Sequence, residues 1–440
     1  MQNSSLPQGI FEFMRQVLQG WNKVVRGEAK ILLAPLMSSE ICKNGPLVPR
    51  GAGQSYGDAS LSFSNYTLLT DSIIKMEIEY LPESVVVSSN LKIKELCAEL
   101  HSKGRFLETV PGSEEATIGG CIASDVHGKN DRLYGSFGHS VIRVEVCDQD
   151  STNWVFPKDQ RFAYIVSGYG LTGVITRVEI RTRKIPGKEI LTTTTKTNGV
   201  KNLFIELAWQ VQKYEYAVGW LDLSFHVKGA PRGYVEAGDW ATSSKSKLGR
   251  AGAVTIPDFR INFINPLSIK VFNSLTFFSL KTRGALFRNY EDFLFPTRKM
   301  RKWNNLFGKT GFHEIQVLIS DPALDDFIQI LEEMRKKFPI FLVGVKRIEK
   351  SGLGCLSFTS KGWSVAMNIP GKYIDQRGVL EIQNLLFNRC KAPQYLTKDA
   401  SLDKDLFNKM YPQAQNFREF RKSQFYDIIF ESEMSKRLGL

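Results

Sequence analysis

The sequence predicts an α+β protein of two domains, the second built on a large antiparallel sheet flanked by helices. Its 440 residues suffice for two or three domains, each with its own core. Up to about residue 188, short strand-like runs alternate with turns and form no regular strand–helix repeat. From about residue 189, longer strand-like runs alternate with helices. We therefore place the first domain at 1–188, the second at 189–394, and a C-terminal segment at 395–440.

The first domain contains three strand-like runs and one clear helix. The runs occupy 68–73, 84–89 and 141–148. Residues 92–104 carry apolar side chains at helical spacing and end in Gly104, which favours a helix stop. These elements belong to an α+β domain whose strands are joined by turns.

The second domain contains four strand-like runs and two helices. The residue pattern of the runs suits a large antiparallel sheet, and the helices fall between them in the sequence. The predicted strands are 189–197, 215–225, 313–320 and 341–348, and the predicted helices are 200–213 and 325–337.

The net charge of +13 is concentrated in one part of the chain. Between Lys228 and Lys302 there are 14 basic and five acidic residues, with aromatic residues interspersed. We treat about 228–303 as a basic and aromatic insertion in the second domain. Cations beside aromatic rings suit an anionic lipid surface or a polyanionic substrate, and a purely solvated basic face stays open. No nucleic-acid-binding signature accompanies the charge, so nucleic acid is not an expected partner.

Several protein classes are excluded by what the sequence lacks. The six cysteines are scattered, with no CxxC and no Cys/His cluster, so we expect neither a metal site nor a disulfide framework. Apolar runs such as 341–345 are far shorter than the roughly 20 residues that cross a bilayer. The N-terminal residues show no Sec signal pattern, so we expect a cytoplasmic protein.

Glycine is concentrated in three loops of the first domain. They are PRGAGQSYGDAS at 49–60, VPGSEEATIGGCIASDVHGKN at 110–130 and VSGYGLTGVITRVEI at 166–180. Glycines let a backbone turn sharply and direct successive N–H groups at a phosphate. Neither the Rossmann nor the P-loop spacing is present. Three loops spread over about 120 residues suit a large, extended cofactor approached from several sides.

Together these motifs carry a resemblance to a known family. The three loops, in this order, resemble the FAD-binding domain of the vanillyl-alcohol-oxidase type, also called the PCMH type. DVHGKN, GSFGHSV and YLTKD resemble more closely the 2′-oxidase family, the flavoprotein subunits of decaprenylphosphoryl-β-D-ribose 2-epimerases. The similarity continues through VGWLD, VKRIEKSGLGCLSF, GWSVAMNIP and SEMSKRL, and so covers nearly the whole chain.

The resemblance implies FAD as cofactor, held by the first domain and by a C-terminal segment that returns to it. Many relatives bind the flavin covalently through a histidine of the first loop, where this chain has Gln54, so FAD is expected to be non-covalent. The residues implied around FAD are Arg50, Gly51, Ala52, Gly53, Gln54, Ser55, Tyr56, Gly57, Gly112, Thr117, Ile118, Gly119, Gly120, Ser124, Asp125, His127, Ile175 and Tyr395.

The implied reaction is oxidation of the 2′-hydroxyl of a polyprenyl-phosphate-linked ribose to the ketone. An NADH-dependent short-chain reductase would then complete epimerisation to the arabinose form, a step of cell-wall polysaccharide biosynthesis. A base must take the hydroxyl proton. A lysine that is shielded from water and lies beside another cation suits this role, because burial and the neighbouring positive charge both favour the neutral amine. The resemblance implies Lys398 as this base, with Lys346 and Tyr56 orienting the substrate and His127 beside the flavin ring.

Two further residues match positions that line the family's sugar pocket, namely Trp220 and Gln316. The chain also departs from the family at two positions. Ala366 stands where the mycobacterial members have a cysteine, and Leu294 stands where an aromatic residue is expected at the substrate entrance. Both departures bear on the substrate and leave the flavin-binding half intact.

Two other functions are kept as alternatives. The chain resembles more distantly the D-arabinono-1,4-lactone and alditol oxidases, which act on soluble sugars and reduce oxygen. Their C-terminal His-Trp-Gly-Lys segment has no counterpart here. The other alternative is a protein that binds flavin or lipid without turnover. For the leading interpretation we expect a cytoplasmic protein with a peripheral position on the inner membrane.

Overall fold

The computed structural model describes residues 13–32, 46–148, 151–227, 230–243, 252–282 and 284–440. Within these ranges the strands form four sheets of four, six, seven and two strands. The first two sheets lie before residue 188 and the seven-stranded sheet lies after it, so an α+β architecture with a large antiparallel sheet is confirmed.

The first domain is built from two sheets. The four-stranded sheet has the order β1-β2-β4-β3, and β3 and β4 are parallel. The six-stranded sheet has the order β5-β6-β10-β8-β9, and β7 also pairs with β10. The strands are β1 Phe13–Gln19, β2 Arg26–Leu32, β3 Leu47–Arg50, β4 Tyr66–Leu69, β5 Ile78–Tyr80, β6 Ser84–Ser88, β7 Arg105–Leu107, β8 Val141–Cys147, β9 Thr152–Val155 and β10 Val174–Lys184. The helices are α1 Thr70–Ile73, α2 Ile93–Ser102, α3 Ile118–Ala123, α4 Asp131–Tyr134 and α5 Phe162–Ile165.

The predicted strand at 68–73 is wrong over most of its length. Strand β4 ends at Leu69, and Thr70–Ile73 form a short helix. The reason lies in the neighbouring strand, because β3 pairs with β4 only as far as Arg50 and then enters the glycine-rich loop. Without a partner strand, the backbone groups after Leu69 are paired locally instead.

The second domain is a seven-stranded sheet with the order β15-β11-β13-β12-β18-β19-β17. Its strands are β11 Glu189–Asn198, β12 Tyr216–Val227, β13 Ala230–Trp240, β15 Leu286–Asn289, β17 Phe312–Ile319, β18 Val343–Ile348 and β19 Gly362–Pro370. One face packs under three amphipathic helices, α6 Val200–Lys213, α9 Leu324–Lys337 and α10 Gln376–Cys390. Ile315, Val317 and Val365 are among the fully buried residues of that face. Since side chains alternate along a strand, the polar residues between them lie on the opposite face.

The C-terminal segment folds onto the first domain. Its helices are α11 Lys404–Met410, α12 Ala414–Ser423 and α13 Glu433–Leu438. They share a core with Tyr169 and Leu171 of the third glycine-rich loop. The guanidinium of Arg437 joins the segment to the first loop, since it lies 2.8 Å from carboxylate oxygens of both Asp58 and Asp399.

The basic stretch predicted as an insertion contributes in part to the large sheet. Ala230–Trp240 form β13, which pairs with β11 on one side and β12 on the other. Lys228 and residues 244–251 and 283 lie outside the described residues. The other elements of the stretch are β14 Val254–Thr255, α7 Pro266–Ser279, α8 Tyr290–Leu294 and β16 Met300–Arg301. Among the helices that the structure describes, none is long and apolar enough to cross a membrane.

Candidate active site

The first glycine-rich loop begins where β3 ends. Arg50 fixes this turn from inside: its guanidinium donates to Ser60 Oγ at 2.9 Å and to the carbonyl oxygen of Gln19 at 2.9 Å. Burial lowers the pKa of Arg50 to about 10. Gly53 has φ of +63°, and a Cβ there would lie 2.3 Å from the Arg50 guanidinium. A larger residue would be strained at this φ and would displace the guanidinium, so glycine favours the closure of the loop over this arginine.

The second loop lies directly against the first. A Cβ on Gly51 would be 2.3 Å from Thr117 Oγ1, so the backbone at Gly51 packs directly against the Thr117 side chain. Ser113 Oγ donates to Gln54 Oε1 at 3.1 Å, which joins the loops at a second point. The first loop thus presents an amide, Gln54, at the position where the family resemblance implies a histidine in many members.

The third glycine-rich segment joins the same assembly through Ser89. The carbonyl oxygen of Ser89 accepts from the Gly119 N–H at 2.8 Å. The Ser89 hydroxyl donates to the carbonyl oxygen of Ile175 at 2.6 Å. The three glycine-rich segments that are distant in sequence therefore line one region of the first domain.

This region fits an anionic, extended cofactor. Within the part of the chain that the structure describes, the N–H groups of Ala52, Gly53, Gln54 and Ser55 donate to no other residue. Exposed, unpaired amides along a tight loop can bind phosphate oxygens. A Cβ on Gly112 would meet no atom within 4 Å, so space is open beside the second loop. The residues present therefore fit FAD.

Two residues expected near FAD have structural partners. The Asp125 carboxylate accepts from the Gly138 N–H at 3.0 Å and from Ser357 Oγ at 2.7 Å, and burial raises its pKa. The carbonyl oxygen of Ser124 accepts from the Tyr395 hydroxyl at 2.7 Å. Asp125 and Ser124 thus connect the first domain to both later parts of the chain.

A row of residues crosses the polar face of the large sheet. Trp220 pairs in register with Gly344, Gly344 with Ala366, and Ala366 with Gln316. The Trp220 ring lies over Gly344, where a Cβ would be 3.5 Å from Cζ3 of the indole. Gly344 and Ala366 are small and half-buried, so the sheet face is low between the tryptophan and the glutamine, and we call this strip the groove. Trp220 Nε1 is buried and has no hydrogen-bond partner among the described residues.

His127 lies at the glutamine end of this groove. Its Nε2 is 3.0 Å from Gln316 Nε2 and 3.1 Å from Ser364 Oγ, and its Nδ1 is buried without a hydrogen-bond partner in the described structure. Burial, with Lys346 and Lys398 nearby, lowers the pKa of His127 well below its ordinary value. A neutral imidazole that accepts from the glutamine amide carries its proton on Nδ1. Among the described residues, nothing accepts a hydrogen bond from this N–H.

The two predicted lysines lie close together. Lys346 Nζ donates to the carbonyl oxygen of His127 at 3.3 Å. Burial lowers the pKa of Lys346 to about 8, and the charge of Lys398 contributes. Lys398 Nζ lies 3.2 Å from the centroid of the Tyr56 ring, and burial lowers its pKa as well. The structure thus brings Lys398, Lys346, Tyr56 and His127 together at one end of the sheet face.

The comparisons with known proteins agree with this geometry. Residues 39–155 match a family model described as an FAD binding domain. Over 432 residues, 90% of this chain and 89% of the relative, the sequence is 24% identical to the decaprenylphosphoryl-β-D-ribose oxidase of Mycolicibacterium smegmatis. The chain is an FAD-dependent oxidoreductase. It acts on a CH–OH group, and its first domain is of the PCMH type. An uncharacterized protein of the mprA 5′ region of Streptomyces coelicolor is 22% identical over 77% of this chain and 96% of that protein.

Sequence reasoning missed two charged residues of this oxidoreductase. Glu314 is 3.1 Å from Lys398 Nζ, and its carboxylate opposes the lowering of the lysine pKa. Glu314 lies two positions before Gln316 on β17. Side chains two positions apart on a strand point to the same face, so the sequence could have placed Glu314 on the face of Gln316. Lys129 is half-buried beside Phe293, whose carbonyl oxygen it contacts, and the loss of solvation around its amine lowers its pKa to about 7. The HGKN motif contained this lysine, but nothing in the sequence distinguished it from a surface residue.

Proposed function

We propose that this oxidoreductase oxidises the 2′-hydroxyl of a polyprenyl-phosphate-linked ribose to the ketone, the first half of an epimerisation to the arabinose form. The observation that carries the proposal is the groove across the sheet face, which leads from Trp220 to the group of Lys346, Lys398 and His127. A sugar ring offers hydroxyl groups to such side chains and an apolar face to an indole. The mycobacterial relative is named as an oxidase of decaprenylphosphoryl-β-D-ribose, which supports ribose as the sugar.

Lys398 is proposed as the base that takes the hydroxyl proton. Its burial favours the neutral amine, and Glu314 at 3.1 Å stabilises the ammonium that forms. The ring of Tyr56, 3.2 Å from Nζ, holds the lysine side chain in place. The glycine-rich loops described above would hold FAD, which would supply the acceptor for the hydride that leaves C2′ of the sugar.

Lys346 and His127 are proposed to orient the sugar. With a pKa of about 8, Lys346 keeps a donor N–H in either protonation state. The free Nδ1–H of His127 supplies a second donor. His127 is buried and Lys346 is half-buried, so hydrogen bonds from these groups to the substrate compete little with water. Trp220 and Gln316 bound the groove at its two ends.

The ketone product requires a second enzyme. We propose an NADH-dependent short-chain reductase as the partner that returns hydride to the opposite face of the sugar. We also propose a cytoplasmic, peripheral position on the inner membrane, which would give the chain access to a lipid-linked substrate.

The proposal is tested by anaerobic titration of the FAD-loaded protein with a polyprenyl-phosphoryl ribose. We expect the lipid sugar to bleach the flavin absorbance and an aldonolactone to leave it unchanged. Lys398→Ala should slow flavin reduction by a factor of about 100 or more, whereas Lys361→Ala, at a 68% exposed lysine, serves as the control. Bleaching by the lactone alone would favour the soluble sugar oxidases. Full activity in Lys398→Ala would refute the assignment of the base.

A further inference from the structure

Helix α7 presents an apolar stripe to solvent. Leu267, Val271, Leu275 and Phe278 follow one another at intervals of four, four and three residues, so they lie on one face. Their exposed fractions range from 50% to 72%. Just before the helix, Ile261 is 70% exposed. Single exposed apolar residues are common, but a stripe of four marks an interaction surface.

The orientation of the stripe is fixed by the opposite face of the helix. Ile269 and Asn273, one turn apart, are buried. The Asn273 side-chain amide donates to Asp222 Oδ1 at 2.9 Å and to the carbonyl oxygen of Phe341 at 3.2 Å. Asn265 caps the first turn through the N–H groups at 267 and 268, and Pro266 occupies the first turn. The buried face therefore holds the helix on the sheet with its apolar stripe outward.

The surroundings of the stripe carry positive charge. Five exposed cations of this region form no ion pair with any described residue, and they are Arg260, Lys270, Lys281, Arg301 and Lys302. The exposed carboxylate of Asp258 is paired with Lys23 at 2.6 Å. A protein surface that buried this stripe would have to supply several acidic partners for these cations. Lipid phosphates supply negative charge and an apolar layer together.

We propose that the stripe of α7 and its flanking cations form a docking surface for a bilayer that contains anionic lipid. The apolar residues would enter the boundary between headgroups and acyl chains, while the lysines and arginines contact phosphates. The surface itself is argued from these residues alone. Its purpose, to bring the site to a lipid-linked sugar, rests on the proposed function.

The docking helix is connected to the active site by packing. Ile269 belongs to a buried cluster with Phe312 and Phe341. Tyr56 packs against this cluster, and its ring meets that of Phe312 edge to face at 5.5 Å. The inner side of the docking helix and the tyrosine that contacts Lys398 therefore pack against one and the same apolar cluster.

The test is co-sedimentation of the FAD-loaded, full-length protein with vesicles. Vesicles of phosphatidylcholine are compared with vesicles that also contain phosphatidylglycerol, over a series of salt concentrations. We expect binding to the anionic vesicles that weakens with salt as charges are screened. The double variant Val271→Asp/Leu275→Asp should lower the vesicle affinity by a factor of ten or more. Lys270→Gln and Lys281→Gln should each lower it about fivefold and reduce the salt dependence.

The matched control is a pair of apolar residues with the same spacing on another helix. Ile205 and Trp209 on α6 are 61% and 54% exposed. Ile205→Asp/Trp209→Asp should leave vesicle binding unchanged. Equal losses in both double variants, or no binding of the parent protein to anionic vesicles at low salt, would overturn the proposal. Self-association lost in the α7 variant, without vesicle binding in the parent, would assign the stripe to a contact between copies.

A second readout separates this proposal from the proposed function. Flavin reduction by a short-chain, water-soluble analogue of the lipid sugar should be the same in the α7 variant and the parent protein. If the parent binds vesicles but the analogue does not reduce the flavin, docking stands and the substrate assignment fails. If the analogue reduces the flavin but the parent protein does not bind vesicles, the substrate assignment stands and the docking proposal fails.

Discussion

Replacing Lys346 by Met should make the protein more stable while it impairs the reaction. Burial and Lys398 lower the pKa of Lys346 from 10.5 to about 8. A pKa shift of this size lowers the free energy of unfolding by about 3 kcal/mol whenever the lysine is charged in the folded protein. Methionine has a similar volume and no charge, so it removes this cost. The substitution also removes the hydrogen bond to the carbonyl oxygen of His127, which costs about 1 kcal/mol of stability. The net gain in the free energy of unfolding is therefore about 2 kcal/mol near pH 7.

The pH dependence follows from the direction of the shift. Below pH 8, Lys346 is protonated in both states, and the full cost of the buried charge is present. Between pH 8 and 10.5 the unfolded chain binds more protons than the folded chain, so the stability of the parent protein rises with pH. The advantage of the methionine variant should therefore shrink over this window and be absent by its upper end.

Urea unfolding of the FAD-loaded protein, followed by tryptophan fluorescence, measures this difference at a series of pH values. Lys361→Met is the control, because that side chain is 68% exposed and should change neither the stability nor its pH dependence. We expect the Lys346→Met protein to reduce its flavin at least tenfold more slowly with the lipid sugar. A methionine variant that is less stable than the parent near pH 7, or whose effect is constant with pH, would refute the buried-charge argument.

Three other substitutions test the site. Glu314→Gln removes the carboxylate that raises the pKa of Lys398, so the acid limb of the pH profile of flavin reduction should move to lower pH. Movement to higher pH would contradict the role of the lysine as base. Gly51→Ala forces the second glycine-rich loop away and should weaken FAD binding about tenfold in a flavin fluorescence titration, whereas Gly252→Ala, with open space around it, should not. Equal affinities would refute the close approach of the loops. Gly344→Val fills the groove and should lower kcat/KM for the lipid sugar about tenfold without a change in the flavin spectrum, and unchanged kinetics would exclude the groove as the sugar site.

Much of the second domain could be predicted from the sequence because its pattern is strong. The helix predicted at 200–213 is found as Val200–Lys213, and the run predicted as a strand at 313–320 is found as Phe312–Ile319. The strand predicted at 68–73 was wrong after Leu69, because the structure of this segment depends on a partner strand that ends at Arg50. Pairing between strands is a contact between distant residues, and a local pattern does not contain it.

The candidate site, too, could be predicted from the sequence only in part. Motifs in the sequence indicated the glycine-rich loops and the lysines of VGVKR and YLTKD. Glu314 has no motif of its own, and its importance comes only from lying 3.1 Å from Lys398, 84 positions later in the chain. Asp125 belongs to a motif, yet the fold assigns its carboxylate to Gly138 and Ser357.

The sequence by itself determined the α+β class, the three loops suited to FAD and the concentration of positive charge after residue 228. These features follow from local periodicity, backbone freedom at glycine and composition, all of which can be counted along the chain. The tertiary structure decided which charges meet, that two small residues open a groove beside Trp220, and that the apolar stripe of α7 faces outward. The physical reason is that burial and the distance between charges set pKa values and exposure, and both arise only when distant segments pack together.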